Sequence, residues 1–236
     1  MRDYIILNNN DSRQLQGLII STLPPISMPK QRVILEEIDG RDGDIITNLG
    51  YSAYDKEFEI GLSFNYNFDD IIKYFSDNKK GKAIFSNESD KYYKYEIYEQ
   101  IDFNKLIRFK TATVKMHVQP FKYSSEDNFK IFKITDETSI SVRNVGNIYS
   151  KPTIRIKGSG NIGLSLNGFQ VFQIELGELE SITIDTTQME AYNETNLLNR
   201  LVIGNYDNFK FSVGKNIITW NGTISQIEIE NYSRWI

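Results

Sequence analysis

The chain has 236 residues, a formal net charge of -4, 25% charged and 40% hydrophobic residues, and no cysteine. Without thiols there can be no disulfide staple, thiolate metal site or cysteine nucleophile, and the mildly acidic balance lacks the basic stripe by which a duplex-DNA reader neutralises phosphate. Aromatic residues reach 13%, with 14 Tyr and 14 Phe; with recurrent isoleucine they favour the pleated, half-buried surfaces of a β protein.

In chain order, Tyr4 to Leu7 and Leu18 to Thr22 read as short strands. The apolar stretch near the start is too short for the core of a secretory leader, and no apolar run approaches the roughly 20 residues that span a bilayer. The expectation is a polypeptide made and assembled in a cytoplasm, without membrane insertion. Pro24-Pro25 and Pro29 block regular ladders and predict a rigid extended connection. Arg32 to Ile38 predicts a strand ending in Asp39-Gly40-Arg41-Asp42-Gly43-Asp44, a glycine-punctuated turn. Lys56 to Tyr66 alternates, with Phe58, Ile60, Leu62 and Phe64 on one face.

The period then changes. Phe68, Ile71, Ile72 and Phe75 stand at helical spacing, with Asp69 and Asp70 at the start, Lys79 and Lys80 at the end and Gly81 just beyond. That order fits the helix dipole and a glycine stop, and predicts a single helix over about 68–79. Strands resume at Lys82 to Ser86, Tyr92 to Gln100 and Phe109 to Val118, closed by Gln119-Pro120-Phe121. The polar interval Lys122 to Asn128 predicts a linker, dividing the chain into domains 1–130 and 131–236. The second half shows short strands with closely spaced turns. Among them are Thr153 to Lys157, a turn at Gly158 and Gly160, Gly163 to Leu166, Asn167-Gly168, Val171 to Leu176, Ser181 to Asp185, Ile217 to Asn221 and Ile224 to Glu230. That rhythm predicts a β-sandwich. The expected fold class is mainly β: two sandwich domains, the first carrying one helix.

Candidate chemistry is sparse. His117, the sole histidine, lies in an alternating strand with neither an orienting partner nor further ligands in sequence, which points to a structural or surface role. Asp39, Asp42 and Asp44 resemble a calcium loop only faintly: counted from Asp39, Arg41 and Gly43 fall where oxygen ligands are required. The expectation is an exposed, glycine-shaped turn. Gly158-Ser159-Gly160 lacks the lysine and helix of a phosphate loop. Trp220 and Trp235 are the candidate sugar contacts, and for Trp220 a core anchor is the favoured reading. No catalytic, cofactor or metal residue is assigned, and the expectation is a protein without enzymatic activity.

Several elements recur in a characteristic order. They are the early proline-rich segment, Ile38-Asp39-Gly40-Arg41-Asp42-Gly43, the helix after an alternating strand, Gln119-Pro120-Phe121, Asn144-Val145-Gly146-Asn147, Lys151-Pro152, Leu166-Asn167-Gly168, Asp185, and Val213-Gly214-Lys215-Asn216-Ile217-Ile218-Thr219-Trp220-Asn221-Gly222. In this order the chain resembles the distal tail (Dit) proteins of siphophages and prophages of Gram-positive bacteria, in their short two-domain form. The resemblance implies a homohexameric ring at the virion tail tip, with DNA passing through its channel without being specifically bound. It implies a galectin-like C-terminal sandwich, and partners in the tail tube protein, the tail-associated hub protein and, in some phages, a receptor-binding protein. On that reading the turn Asp39, Gly40, Arg41, Asp42, Gly43 and Asp44 serves subunit contact or the channel wall, and Asp69 and Asp70 add to an acidic or neutral wall. The alternative is a carbohydrate-binding module that contacts cell-wall polysaccharide through the C-terminal sandwich.

Overall fold

The computed structural model describes residues 2–125, 129–177, 179–194 and 196–236. The chain divides into two compact units, Met1–Ser125 with Ile236, and Glu126–Trp235. Both are mainly β.

The first unit contains strands β1 (Ile5–Leu7), β2 (Asn10–Asp11), β3 (Leu18–Thr22), β4 (Gln31–Glu37), β5 (Asp44–Tyr51) and β6 (Tyr54–Leu62), then helix α1 (Phe68–Asp77). Strands β7 (Lys80–Phe85) and β8 (Lys91–Glu96), helix α2 (Phe103–Phe109) and strand β9 (Thr111–Ser124) follow. Seven strands of this unit lie antiparallel in one sheet, in the order β2-β1-β7-β8-β9-β6-β3. Alternation sends Phe58 and Ile60 of β6, Tyr93 and Tyr95 of β8, and Val114 and Met116 of β9 to one face. There they share a core with Ile71, Tyr74 and Phe75 of α1 and Leu106 of α2. The opposite face carries Asp55, Glu57, Lys82, Lys94, Glu96, Lys115 and His117, together with the stacked rings of Tyr92 and Tyr123.

Helix α1 begins where Asn67 caps it, its side chain accepting from the Asp70 amide at 3.4 Å. It ends at Asp77, two residues before the expected stop, because Lys80 and Gly81 already belong to β7. A second helix joins the single one expected. In α2 the Asp102 side chain accepts from the Lys105 amide at 2.8 Å, and Lys110 terminates it at φ 62°. With two turns and one fully buried side chain, Leu106, α2 leaves little periodicity to read. β6 stops at Leu62, so Phe64 falls beyond the ladder and is 97% exposed. β9 runs through to Ser124, pairing Tyr92 with Tyr123, where the sequence suggested a linker from Lys122. The rest of that interval, 126–128, lies outside the described residues.

The second unit contains β10 (Phe129–Lys133), β11 (Ser139–Asn144), β12 (Thr153–Leu166), β13 (Phe169–Gly177), β14 (Ser181–Asp185), β15 (Glu190–Asn193), β16 (Asn196–Leu197), β17 (Val202–Gly204), β18 (Gly214–Glu230) and β19 (Arg234–Trp235). Two long strands organise it. The first half of β12 pairs with β14 and with the second half of β18; its second half pairs with β13 and with the first half of β18. β12 and β18 therefore pass from one layer to the other, turning where the register slips between Lys157 and Gly158 and between Ser159 and Gly163. The stretch Gly158 to Gly160, expected as a turn between two strands, is instead this bulged corner. The two layers enclose Ile154, Ile156, Leu164, Phe172, Ile182, Phe209, Phe211, Ile227 and Ile229.

Candidate functional site

The feature of the first unit that its core does not explain is the β4–β5 hairpin. It forms a two-stranded sheet of its own. Its register is antiparallel from Gln31↔Tyr51 to Glu37↔Asp44, with one bulge between Arg32 and Val33. At about 3.3 Å per residue the ribbon is roughly 25 Å long. Val33, Leu35 and Ile46 lie on one side and Ile34 on the other, and all four are exposed. A lone two-stranded ribbon is only marginally stable in water. Apolar groups on both of its sides are surface waiting for cover.

The arm's root is well anchored. Ser52 donates its amide to the Lys30 carbonyl at 2.8 Å, closing the base. Tyr51 packs edge-on against Phe121 at 5.4 Å. Lys56, alternating into the inner face of β6, is 3% exposed and donates from Nζ to the Pro25 carbonyl at 2.5 Å. Its ammonium also lies over the Tyr93 ring at 4.9 Å. Burial lowers the Lys56 pKa to about 8, with nearby Glu88 working against the shift. Glu88 is occupied elsewhere, taking the Lys122 ammonium at 2.8 Å and the Tyr93 hydroxyl at 2.6 Å. Burial, then the Glu88 contact, raises the Tyr93 pKa. The proline-rich segment is therefore rigid for a second reason besides its rings: a buried cation fastens it to the sheet.

At the tip, residues 38–43 turn with the Arg41 amide on the Ile38 carbonyl at 3.1 Å. Gly40 and Gly43 sit at φ 81° and 78°, and a Cβ on either would meet no atom within 4 Å. Conformation alone requires glycine here, and crowding plays no part. Asp39, Arg41, Asp42 and Asp44 are all exposed. The structure thus brings this whole candidate set together at the end of the arm. Sequence reasoning missed the return strand β5: in Asp-Ile-Ile-Thr-Asn-Leu-Gly-Tyr the alternation is weak because neither side faces a core.

The remaining candidates are scattered. Asp69 and Asp70 occupy the first turn of α1. His117 lies on the polar face of the sheet, its Nδ1 2.8 Å from Asp55, with Tyr98 edge-on at 5.9 Å. The His117 and Lys115 contacts hold the Asp55 carboxyl below its usual range. Trp220 is 9% exposed and belongs to the core of the second unit, while Trp235 is half-buried in β19. Among the described residues no group of three or more His, Cys, Asp or Glu side chains could hold a metal ion, and no helix is long and apolar enough to cross a membrane.

No protein-family sequence model and no characterised protein sequence matches the chain. The fold is nonetheless Dit-like. It matches a crystal structure of the Dit protein of phage SPP1, described as a paradigm of the hub adsorption apparatus in phages infecting Gram-positive bacteria. The TM-score is 0.66 at 14% identity, over 100% of both chains. Chains of the phage P2 baseplate in its activated conformation, with calcium and with strontium, match at TM-scores of 0.49 and 0.46, each at 10% identity, over 98% of this chain and 98% and 97% of theirs. These two are too distant to carry an argument.

Proposed function

We propose that the protein is a structural subunit of a phage tail tip: a distal tail protein whose copies close into a hexameric ring between the tail tube and the tail-associated hub protein, with DNA passing through the channel. The observation that carries this reading is the SPP1 Dit fold along the whole of both chains. The exposed arm supports it, because a marginal apolar ribbon on a rigid root is suited to contact with a neighbouring copy. Rings form from heterologous contacts repeated by rotation, and an arm leaving one side of each subunit is such a contact. The function is assembly, without turnover of a substrate. Domains 1–130 and 131–236 would then act as ring former and outward-projecting galectin-like sandwich.

Negative-stain imaging of the purified chain, alone and with the tail-associated hub protein of the same phage or prophage, tests the reading. Six-fold rings are expected; monomers under both conditions would refute it.

One observation favours the carbohydrate-binding alternative. In the second unit, Asn161, Gln170, Gln173, Glu175 and Asn221 line a cleft of about 290 Å³ beside Ile203, and side-chain amides pair well with sugar hydroxyls. Binding of the full chain to purified cell walls, abolished by Gln173→Ala with the fold intact, would establish that alternative; no wall binding would remove it.

A further inference from the structure

Strands β12 and β18 show an outer face in each layer of the second unit, and the two faces differ in charge. In the layer that holds the first half of β12, Arg155 and Lys157 stand 3.9 and 3.7 Å from Glu228 of β18. Ion pairs occupy the polar groups of that face. In the other layer lies the cleft of about 290 Å³ lined by Asn161, Gln170, Gln173, Glu175, Asn221 and Ile203. It holds side-chain amides and a single carboxylate, and among the described residues no lysine or arginine lines it. Its polar groups are open: among the described residues the side chains of Asn161, Gln170, Gln173 and Glu175 have no hydrogen-bonding partner.

The backbone shapes this cleft. Asn221, Gly163, Gln173 and Ile203 stand opposite one another in one row across β18, β12, β13 and β17, a row roughly 14 Å long. Beside it, Asn161 faces Glu175. The register of β12 against β18 slips between Ser159 and Gly163, and a slip of this kind bends the strand. There the Gly163 amide donates to Asn221 Oδ1 at 2.7 Å. A Cβ at position 163 would stand 2.6 Å from that oxygen, so glycine is what lets the Asn221 amide lie across β12. With Oδ1 engaged, Asn221 keeps Nδ2 as a donor for a ligand.

Ile203 is 62% exposed and stands directly opposite Gln173, about 5 Å away as cross-strand neighbours are. An acetamido group carries an N–H, a carbonyl and a methyl on one flat unit. An amide side chain beside an aliphatic one is its complement, since the amide both donates and accepts. Anionic polymers do not suit the cleft, because Glu175 would repel them and no lining cation offsets it. We infer that the cleft takes an uncharged N-acetylated amino sugar of a glycan chain. Gln173 exchanges hydrogen bonds with the acetamido group, Ile203 covers its methyl, and Asn221 and Asn161 hold ring hydroxyls. Such binding deepens the carbohydrate reading of this cleft, on which it rests, and is independent of the ring.

Calorimetric titration of the full-length chain with three trisaccharides of one linkage tests this. Chitotriose is N-acetylated on every ring, cellotriose has hydroxyls in place of the acetamido groups, and the de-acetylated chitosan trimer carries ammonium groups instead. Chitotriose should bind about tenfold more tightly than cellotriose, because a site built to pair with an amide rejects an analogue without one. Gln173→Ala and Ile203→Ser should each weaken chitotriose binding by about tenfold, and Arg155→Ala, on the other face, should leave it unchanged. Melting curves check that each variant folds. Walls stripped to peptidoglycan by hydrofluoric acid separate two sources of the sugar: retained binding assigns it to the peptidoglycan strands, lost binding to the polysaccharides attached to them, and either supports the inference. Equal affinity for chitotriose and cellotriose overturns it. So does tightest binding of the chitosan trimer, which would make Glu175 the recognising group. No binding of any trimer, with wall binding still lost on Gln173→Ala, removes the acetamido assignment and leaves the carbohydrate reading standing. Binding to neither trimers nor walls removes both.

Discussion

The arm tip of the first unit and the β12–β18 corner of the second are both marked by glycine, and they use it for opposite reasons. At Gly40 and Gly43 the surroundings are empty and only the positive φ matters. At the corner, a Cβ on Gly158 would stand 2.2 Å from the Thr223 carbonyl oxygen, and one on Gly222, at φ 89°, would stand 2.3 Å from that of Asn161. Those two positions let backbones of β12 and β18 approach where the strands pass between layers. The tip ends a ribbon that pairs with no strand of the large sheet of its unit, whereas the corner joins the two long strands that organise the other.

The largest expected effect follows at the corner. Gly222→Ala combines a left-handed backbone with a backbone collision, and should destabilise the second unit by about 3 kcal/mol or more. Gly40→Ala, strained but uncrowded, should leave the main unfolding transition within about 0.5 kcal/mol of wild type. Denaturant titration followed by Trp220 fluorescence reads the first and far-ultraviolet circular dichroism the second. Equal losses at the two sites would end the distinction.

A smaller effect concerns the root of the arm. Buried Lys56 loses its proton near pH 8 in the folded protein, but near 10.5 once unfolded. Between those values the unfolded chain binds more protons, so stability should rise with pH across that window, by an amount on the order of 1 kcal/mol. Below about pH 8 the charge is buried and its cost is fully present. Comparing wild type with Lys56→Met at pH 7.5 and 9.5 isolates this group from other titrating side chains, and parallel slopes would show that Lys56 is not responsible. The smallest effect on stability is expected on the ribbon. Leu35→Ser with Ile46→Ser should move the melting temperature of the dilute chain hardly at all while weakening self-association by about tenfold, read by sedimentation velocity. A large loss of stability would mean that the chain's own core uses the arm.

The sequence by itself determined the β class, the α1 helix with its acidic start, and the glycine turn at Asp39 to Asp44. Each rests on near-neighbour physics: period-two burial, a capping side chain and a positive φ. It left α2 unseen, because two turns with one core contact, Leu106, are shaped by packing more than by pattern. It divided β12 at Gly158, because a glycine that lets two strands approach looks the same in a sequence as one that turns a loop. Phe64 was placed inward by an alternation that the ladder does not continue. Only the tertiary structure paired β4 with β5 as an arm apart from the core, and set Glu37 opposite Asp44 and Lys82 opposite Lys94. Those pairings join residues of separate strands, and register is fixed by the fold as a whole, through which faces must be buried.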